Sequence, residues 1–166
     1  MRHELDGWRS VHGRGADGSI ESDERVTAAS PVVERSEAGA RLLGERYWRE
    51  VASASRGLVR ARTTGDGVEL RLFERGPSLL RFGPAETTHD ADDVRCRYPI
   101  RGGVLARRPG GTLTLSQTGA GRPDLRAAVH GFSPRLGSRP YDRIQRRLHV
   151  AVSRRYFRGL IDEARP

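Results

Sequence analysis

Lysine and asparagine are missing from all 166 residues, so every one of the 30 basic side chains is an arginine. Both missing types are specified by AT-rich codons, and their joint loss points to GC-rich coding rather than to a demand for guanidinium groups. Arginine content by itself therefore argues for no partner. The single cysteine, Cys96, excludes an intrachain disulfide and fits a reducing compartment. No apolar run approaches the roughly 18 residues of a membrane span. The opening MRHELDGWRS carries acids where a secretory signal needs an apolar stretch, and the expected location is cytoplasmic. The five histidines, at 3, 12, 89, 130 and 149, lack metal-ligand spacing, and no G-x-S-x-G elbow occurs. No cofactor or metal is expected.

Charge is present but unevenly spread. Residues 1–94 hold 14 Arg against 17 acids, and residues 95–166 hold 16 Arg against 4, so −3 and +12 give the net +9. This asymmetry predicts a basic face attractive to nucleic acid, an anionic surface or an acidic partner, set against the plainer reading of a solvated surface.

The first 24 residues are rich in Gly, Asp and Ser and read as a flexible tail. Within it GRGADG, residues 13–18, matches G-x-G-x-x-G, but no strand precedes it and no helix follows, so it is not a dinucleotide loop. Residues 25–166 read as one domain. A short strand at RVTAASPVV (25–33) leads to a helix at SEAGARLLGERYWREVASAS, where Ala40, Leu43, Tyr47, Val51 and Ala54 recur at steps of three and four. Ser36 is its expected cap and Gly57 its stop.

Beyond Gly57 the period becomes two. LVRARTT, VELRLF, SLLRF, VRCRYPI, TLTLSQ and DLRAAVHGF each alternate, and a tight reversal at GDG joins the first two. Six strands joined by short turns specify an antiparallel meander with one covered face, on which Val94, Cys96, Tyr98, Leu113, Leu115 and Val129 should meet the last helix. RGGVLARRPGG lies between two alternating strands and opens no helix, so it reads as a wide connection rather than a phosphate cradle. The acidic THDADD, with His89, reads as a solvated turn.

The chain closes with a helix of about six turns starting behind Pro140. Tyr141, Ile144, Leu148, Ala151, Val152 and Tyr156 form its expected apolar stripe, opposite Arg143, Arg147, Arg154 and Arg158. Arg155 interrupts the stripe. A guanidinium facing an apolar interior needs a partner. Arg155 must pair with an internal acid such as Glu50 or Glu69, snorkel to an edge, or hold an anionic ligand group.

This order of strand, helix, six-stranded meander and long final helix resembles the START/SRPBCC helix-grip superfamily of polyketide cyclases, lipid-transfer domains and pollen allergens. The resemblance covers residues 25–163 and rests on element order. The two-helix start and glycine-rich loop of the allergen branch have no counterpart here. It implies an α+β fold, a six- to seven-stranded antiparallel sheet wrapped around the C-terminal helix, with a cavity for an apolar ligand. It carries over no catalytic residue.

The candidate ligand-binding residues are Arg155, Tyr98, Tyr156, Cys96, Leu113, Leu148 and Val152, and the candidate basic surface is Arg143, Arg147, Arg154 and Arg158. Three functions follow. The first is a carrier of a small apolar or amphiphilic acid. The second is a cyclase- or hydratase-like enzyme on the same scaffold, using Tyr98, Tyr156 or His130 in proton transfer. The third is a module whose basic face meets nucleic acid or an anionic surface. Two or more titratable groups converging in a cavity would separate enzyme from carrier.

Overall fold

The computed structural model describes residues 5–135 and 138–164, leaving aside the side chains of 138–142 and 145. Among the described residues the fold is α+β, with nine antiparallel strands in one sheet and two helices. In chain order these are β1 (Arg9–Arg14), β2 (Ile20–Thr27), α1 (Glu37–Ala54), β3 (Val59–Thr64), β4 (Gly67–Leu72), β5 (Ser78–Phe82), β6 (Glu86–His89), β7 (Asp93–Gly102), β8 (Thr112–Thr118), β9 (Asp124–Phe132) and α2 (Ser138–Glu163). The sheet runs β1-β2-β9-β8-β7-β5-β4-β3, and the short β6 shares the edge of the long β7 with β5.

The expected tail to residue 24 is instead a hairpin. Arg9–Arg14 pairs residue for residue with Arg25–Ile20, and β2 then joins β9. GRGADG is the turn of that hairpin, where the Gly15 N–H donates to the Ser19 carbonyl at 2.8 Å. A composition-based reading fails here because the strands bury a polar rather than an apolar face. Ser10 and His12 are half-buried between exposed neighbours on β1, and on β2 Ser22 and Glu24 are buried beside half-buried Glu21 and Asp23 and exposed Arg25.

Helix α1 forms as its sequence dictates. The Ser36 side chain accepts from the Gly39 N–H at 3.1 Å, Glu37 occupies the positive N-terminal turn, and the helix ends before Gly57. Its apolar stripe presses on β7, where Gly44 is required. A Cβ there would lie 2.1 Å from the Tyr98 hydroxyl and 3.1 Å from Cys96 Sγ, so a bare backbone lets helix and sheet meet.

The meander over residues 57–132 is present, with β6 as an addition at ETTH. Val94, Cys96, Tyr98, Leu113 and Leu115 are buried as alternation requires. Cys96 and Tyr98 lie under α1, whereas Leu113 and Val129 line a cavity together with Leu148 and Val152 of the last helix. Two helices share the covered face: α1 lies over β3, β6, β7 and β8, whereas α2 packs on α1 and meets the sheet mainly at β2. The expected sheet wrapped around one helix is thus a sheet covered by two.

Two further expectations change. Phe132 turns inward and is buried instead of sharing the outer face with Arg126 and His130. A register shift between β2 and β9, together with Gly131 at φ +69°, breaks the period there. On α2 the buried residues are Val152, Ser153, Tyr156, Phe157 and Leu160, while Ile144 is 72% exposed and Ala151 is also exposed. Among the described side chains the buried apolar residues of α2 lie in its C-terminal half, so a stripe averaged over the whole helix points in the wrong direction. The Tyr141 side chain lies outside the described residues.

Between the layers the core is aromatic. Trp48 sits 4.9 Å from Phe82 and 5.1 Å from Tyr98 between ring centroids, and Tyr47 sits 5.4 Å from Tyr156.

Candidate functional site

A cavity of about 120 Å³ lies between the sheet and the two helices. Trp48, Val51, Phe82 and Phe132 line it together with Leu113, Leu148 and Val152, three residues named from the sequence. A space lined mainly by apolar groups, with His149 and Tyr47 at its wall, favours an apolar occupant about the size of a benzene ring.

The other sequence candidates do not line it. Tyr98 and Cys96 are buried under α1, and burial pushes both the phenol and the thiol up, which keeps them protonated. Tyr156 is buried against Tyr47 and Phe157, and burial again raises its phenol. Arg155 never reaches the interior. Its side chain is 53% exposed, and it spans the outside of the helix pair to Glu50 Oε2 at 3.2 Å and Ser53 Oγ at 2.6 Å. Of the two acids proposed as partners Glu50 holds it, while Glu69 is engaged by Arg71. His130 pairs with Glu21 and Arg126 on the outer face of the sheet, away from the cavity.

Next to the cavity opens a polar cleft of about 250 Å³, and Val129 and His149 belong to the walls of both. His12, Arg14, Ser22 and Arg146 complete its working surface. Behind the histidines lies Glu24, fully buried on the inner face of β2. Its Oε1 is 2.9 Å from His12 Nε2, and its Oε2 is 2.6 Å from His149 Nε2. The Ser22 hydroxyl donates to the carboxylate at 3.3 Å and the Ser10 hydroxyl at 3.3 Å. A buried carboxylate needs such company, because an unpartnered one would lose several kcal/mol of solvation, as an order of magnitude.

His12 is pulled in opposing directions. Burial, the strongest influence, holds its pKa below the usual histidine value, and nearby His149 and Arg146 act the same way, against the attraction of Glu24. The imidazole is therefore neutral at neutral pH. The two rings stand edge to face, 6.4 Å between centroids. They approach different oxygens of one carboxylate rather than a common point, and no metal-holding group of His, Cys, Asp and Glu exists among the described residues.

Sequence reasoning missed this trio because two members fall in the segment read as a tail. The signal was there: S-x-H at 10–12 and S-x-E at 22–24 alternate with period two around a glycine-marked reversal.

Arg143, Arg147, Arg154 and Arg158 border one shallow groove with Arg146 and Arg155, and the Arg154 guanidinium lies 5.1 Å over the Trp8 ring.

Compared with protein-family models, curated proteins and solved structures, the chain matches none.

Proposed function

We propose that this domain binds a small amphiphilic acid, with its apolar part in the cavity and its acid group in the cleft. The observation that carries the reading is the shared wall: an apolar pocket and a cleft bearing His12, Arg14, Arg146 and His149 adjoin at His149 and Val129. A molecule occupying both must be apolar at one end and anionic at the other. Together the two spaces, about 250 and 120 Å³, fall within the lower end of the roughly 300–1,000 Å³ range of small-molecule sites. The strand order, with β2 closing onto β9 beside a long last helix, supports a helix-grip arrangement as the scaffold. Thermal unfolding with phenylacetate, hexanoate and their alcohol counterparts tests this. The acids should raise the transition temperature in proportion to log concentration, and the alcohols should do so less. Equal or absent shifts for acid and alcohol would remove the anionic half of the reading.

A second reading is favoured by the groove along α2. Six arginines with one aromatic ring at the side is a surface suited to single-stranded nucleic acid, whose phosphates the guanidinium groups would meet while a base stacks at Trp8.

A further inference from the structure

The trio behind the cleft is more than an anion-binding device requires. An anion site is best built from permanent cations, yet here a buried carboxylate stands directly behind both histidines. Its charge weakens any purely electrostatic hold on an acid. What the carboxylate does well is fix ring orientation and stabilise an imidazolium once it forms.

We propose that His12, Glu24 and His149 form a proton-transfer site acting on the carbon next to a carbonyl in a small 2-oxo acid. This rests on the binding reading above, and the position of His149 makes it specific. Because His149 borders both cavity and cleft, the atoms within its reach are those joining an apolar tail to an acid head. In a 2-oxo acid with an aryl or short alkyl tail, those atoms are the carbonyl and its neighbouring CH₂. The carboxylate is left to Arg146 and Arg14.

The chemistry balances within the site. The step uses one protonated and one neutral ring, with Glu24 between them as the counter-charge. Each ring presents Nε2 to Glu24, which leaves Nδ1 for the ligand. His12, the neutral ring, takes the proton from carbon, and the C–H electron pair becomes the new C=C bond. The carbonyl π pair moves to oxygen, which takes a proton from His149. The product is the enol, the net charge of the trio is unchanged, and exchange with water resets the rings. Glu24 touches no substrate and is a positioning residue.

The groups facing the pair are the Ser10 hydroxyl and Arg14 from β1, Ser22 from β2, Arg146 from α2 and Tyr47 from α1. Tyr47 is held protonated by burial and by the nearby Glu24, so it does not compete for the transferred proton.

Phenylpyruvate is the probe: its ring suits the cavity, its carboxylate the cleft, and its CH₂ exchanges hydrogen on enolisation. Binding is followed by calorimetry, and exchange of the CH₂ protons in D₂O by NMR, on the full chain. The expected result is binding together with exchange well above the buffer rate, rising with pH along a limb below the ordinary histidine range. His12→Gln should lower that rate at saturating phenylpyruvate about 100-fold or more, beyond any loss of affinity that calorimetry records. Glu24→Gln should lower it too and move the limb to lower pH, because the carboxylate raises the His12 pKa. A merely structural Glu24 would leave the limb in place. Should Glu24→Gln fail to fold, His12→Gln at the cleft edge decides alone. Binding without exchange, or exchange indifferent to His12, overturns the proposal and leaves the binding reading standing; absence of binding overturns both.

Discussion

His149 Nε2 on α2 lies 2.6 Å from Glu24 Oε2 on β2, so the final helix is tied to the N-terminal hairpin through a buried charge. Removing Glu24 leaves the buried imidazole nitrogens without their acceptor, and a buried polar group left unpaired costs about 1–3 kcal/mol. Glu24→Ala should therefore destabilise by about that amount in urea unfolding. A loss below about 1 kcal/mol would mean that water already reaches the site.

Acid sensitivity follows from two groups with depressed pKa values. Burial disfavours the Asp23 carboxylate, but hydrogen bonds from Arg25 and Arg126 outweigh that and bring it from 3.8 down to about 2. Its stabilising contribution is complete above 3.8 and disappears as pH falls toward 2. His12 likewise titrates below 6.5, so the unfolded chain binds more protons as pH drops under that value. Stability should decline below pH 6.5 in the wild type, and His12→Gln should flatten the first part of that decline. Asp23→Asn should flatten the last. Denaturant midpoints measured from pH 8 to pH 3 check both.

How far the sequence alone reached depends on what each segment buries. Where strands bury Val94, Cys96, Tyr98, Leu113 and Leu115, alternation gave the correct face, and Ser36 and Gly57 marked α1 correctly. The hairpin of β1 and β2 gives little apolar pattern, because its inner face carries Ser10, His12, Ser22 and Glu24 before the apolar Val26. Those side chains are inward only because α2 brings His149 and Arg146 over them, a long-range event that no local window contains. The same limit explains Arg155. The expected stripe turns it inward, but which side of α2 is covered depends on α1, and Arg155 lies exposed beside Glu50. Three of the seven candidate ligand residues line the cavity, and they are the three whose role is apolar packing.

Arg155 now carries a modest expectation. With its side chain 53% exposed, its pair with Glu50 should contribute about 1 kcal/mol or less. Arg155→Met should shift unfolding by no more than that and leave the affinity for phenylacetate unchanged. A loss of affinity would return this residue to the site.

The groove reading has its own signature. If Arg143, Arg147, Arg154 and Arg158 hold a polyanion, log affinity for a single-stranded oligonucleotide should fall linearly with log salt, at about 0.7 per phosphate contacted. Replacing all four with Gln should reduce that slope while unfolding midpoints move little. Salt-independent or undetectable binding at low ionic strength would leave the face as solvated surface.

The central claim is that cavity and cleft are filled together by one molecule, and calorimetric titration of phenylacetate into wild type and Leu148→Trp tests it most directly. Leu148 borders the cavity and is 37% exposed, so a larger ring there should obstruct the pocket while leaving the fold intact. Wild type should bind one equivalent with a negative heat-capacity change, the mark of apolar burial, and Leu148→Trp should weaken binding about tenfold or more. Binding of equal strength in both proteins, or a heat-capacity change near zero, would show that the ring stays outside the cavity and would contradict the account.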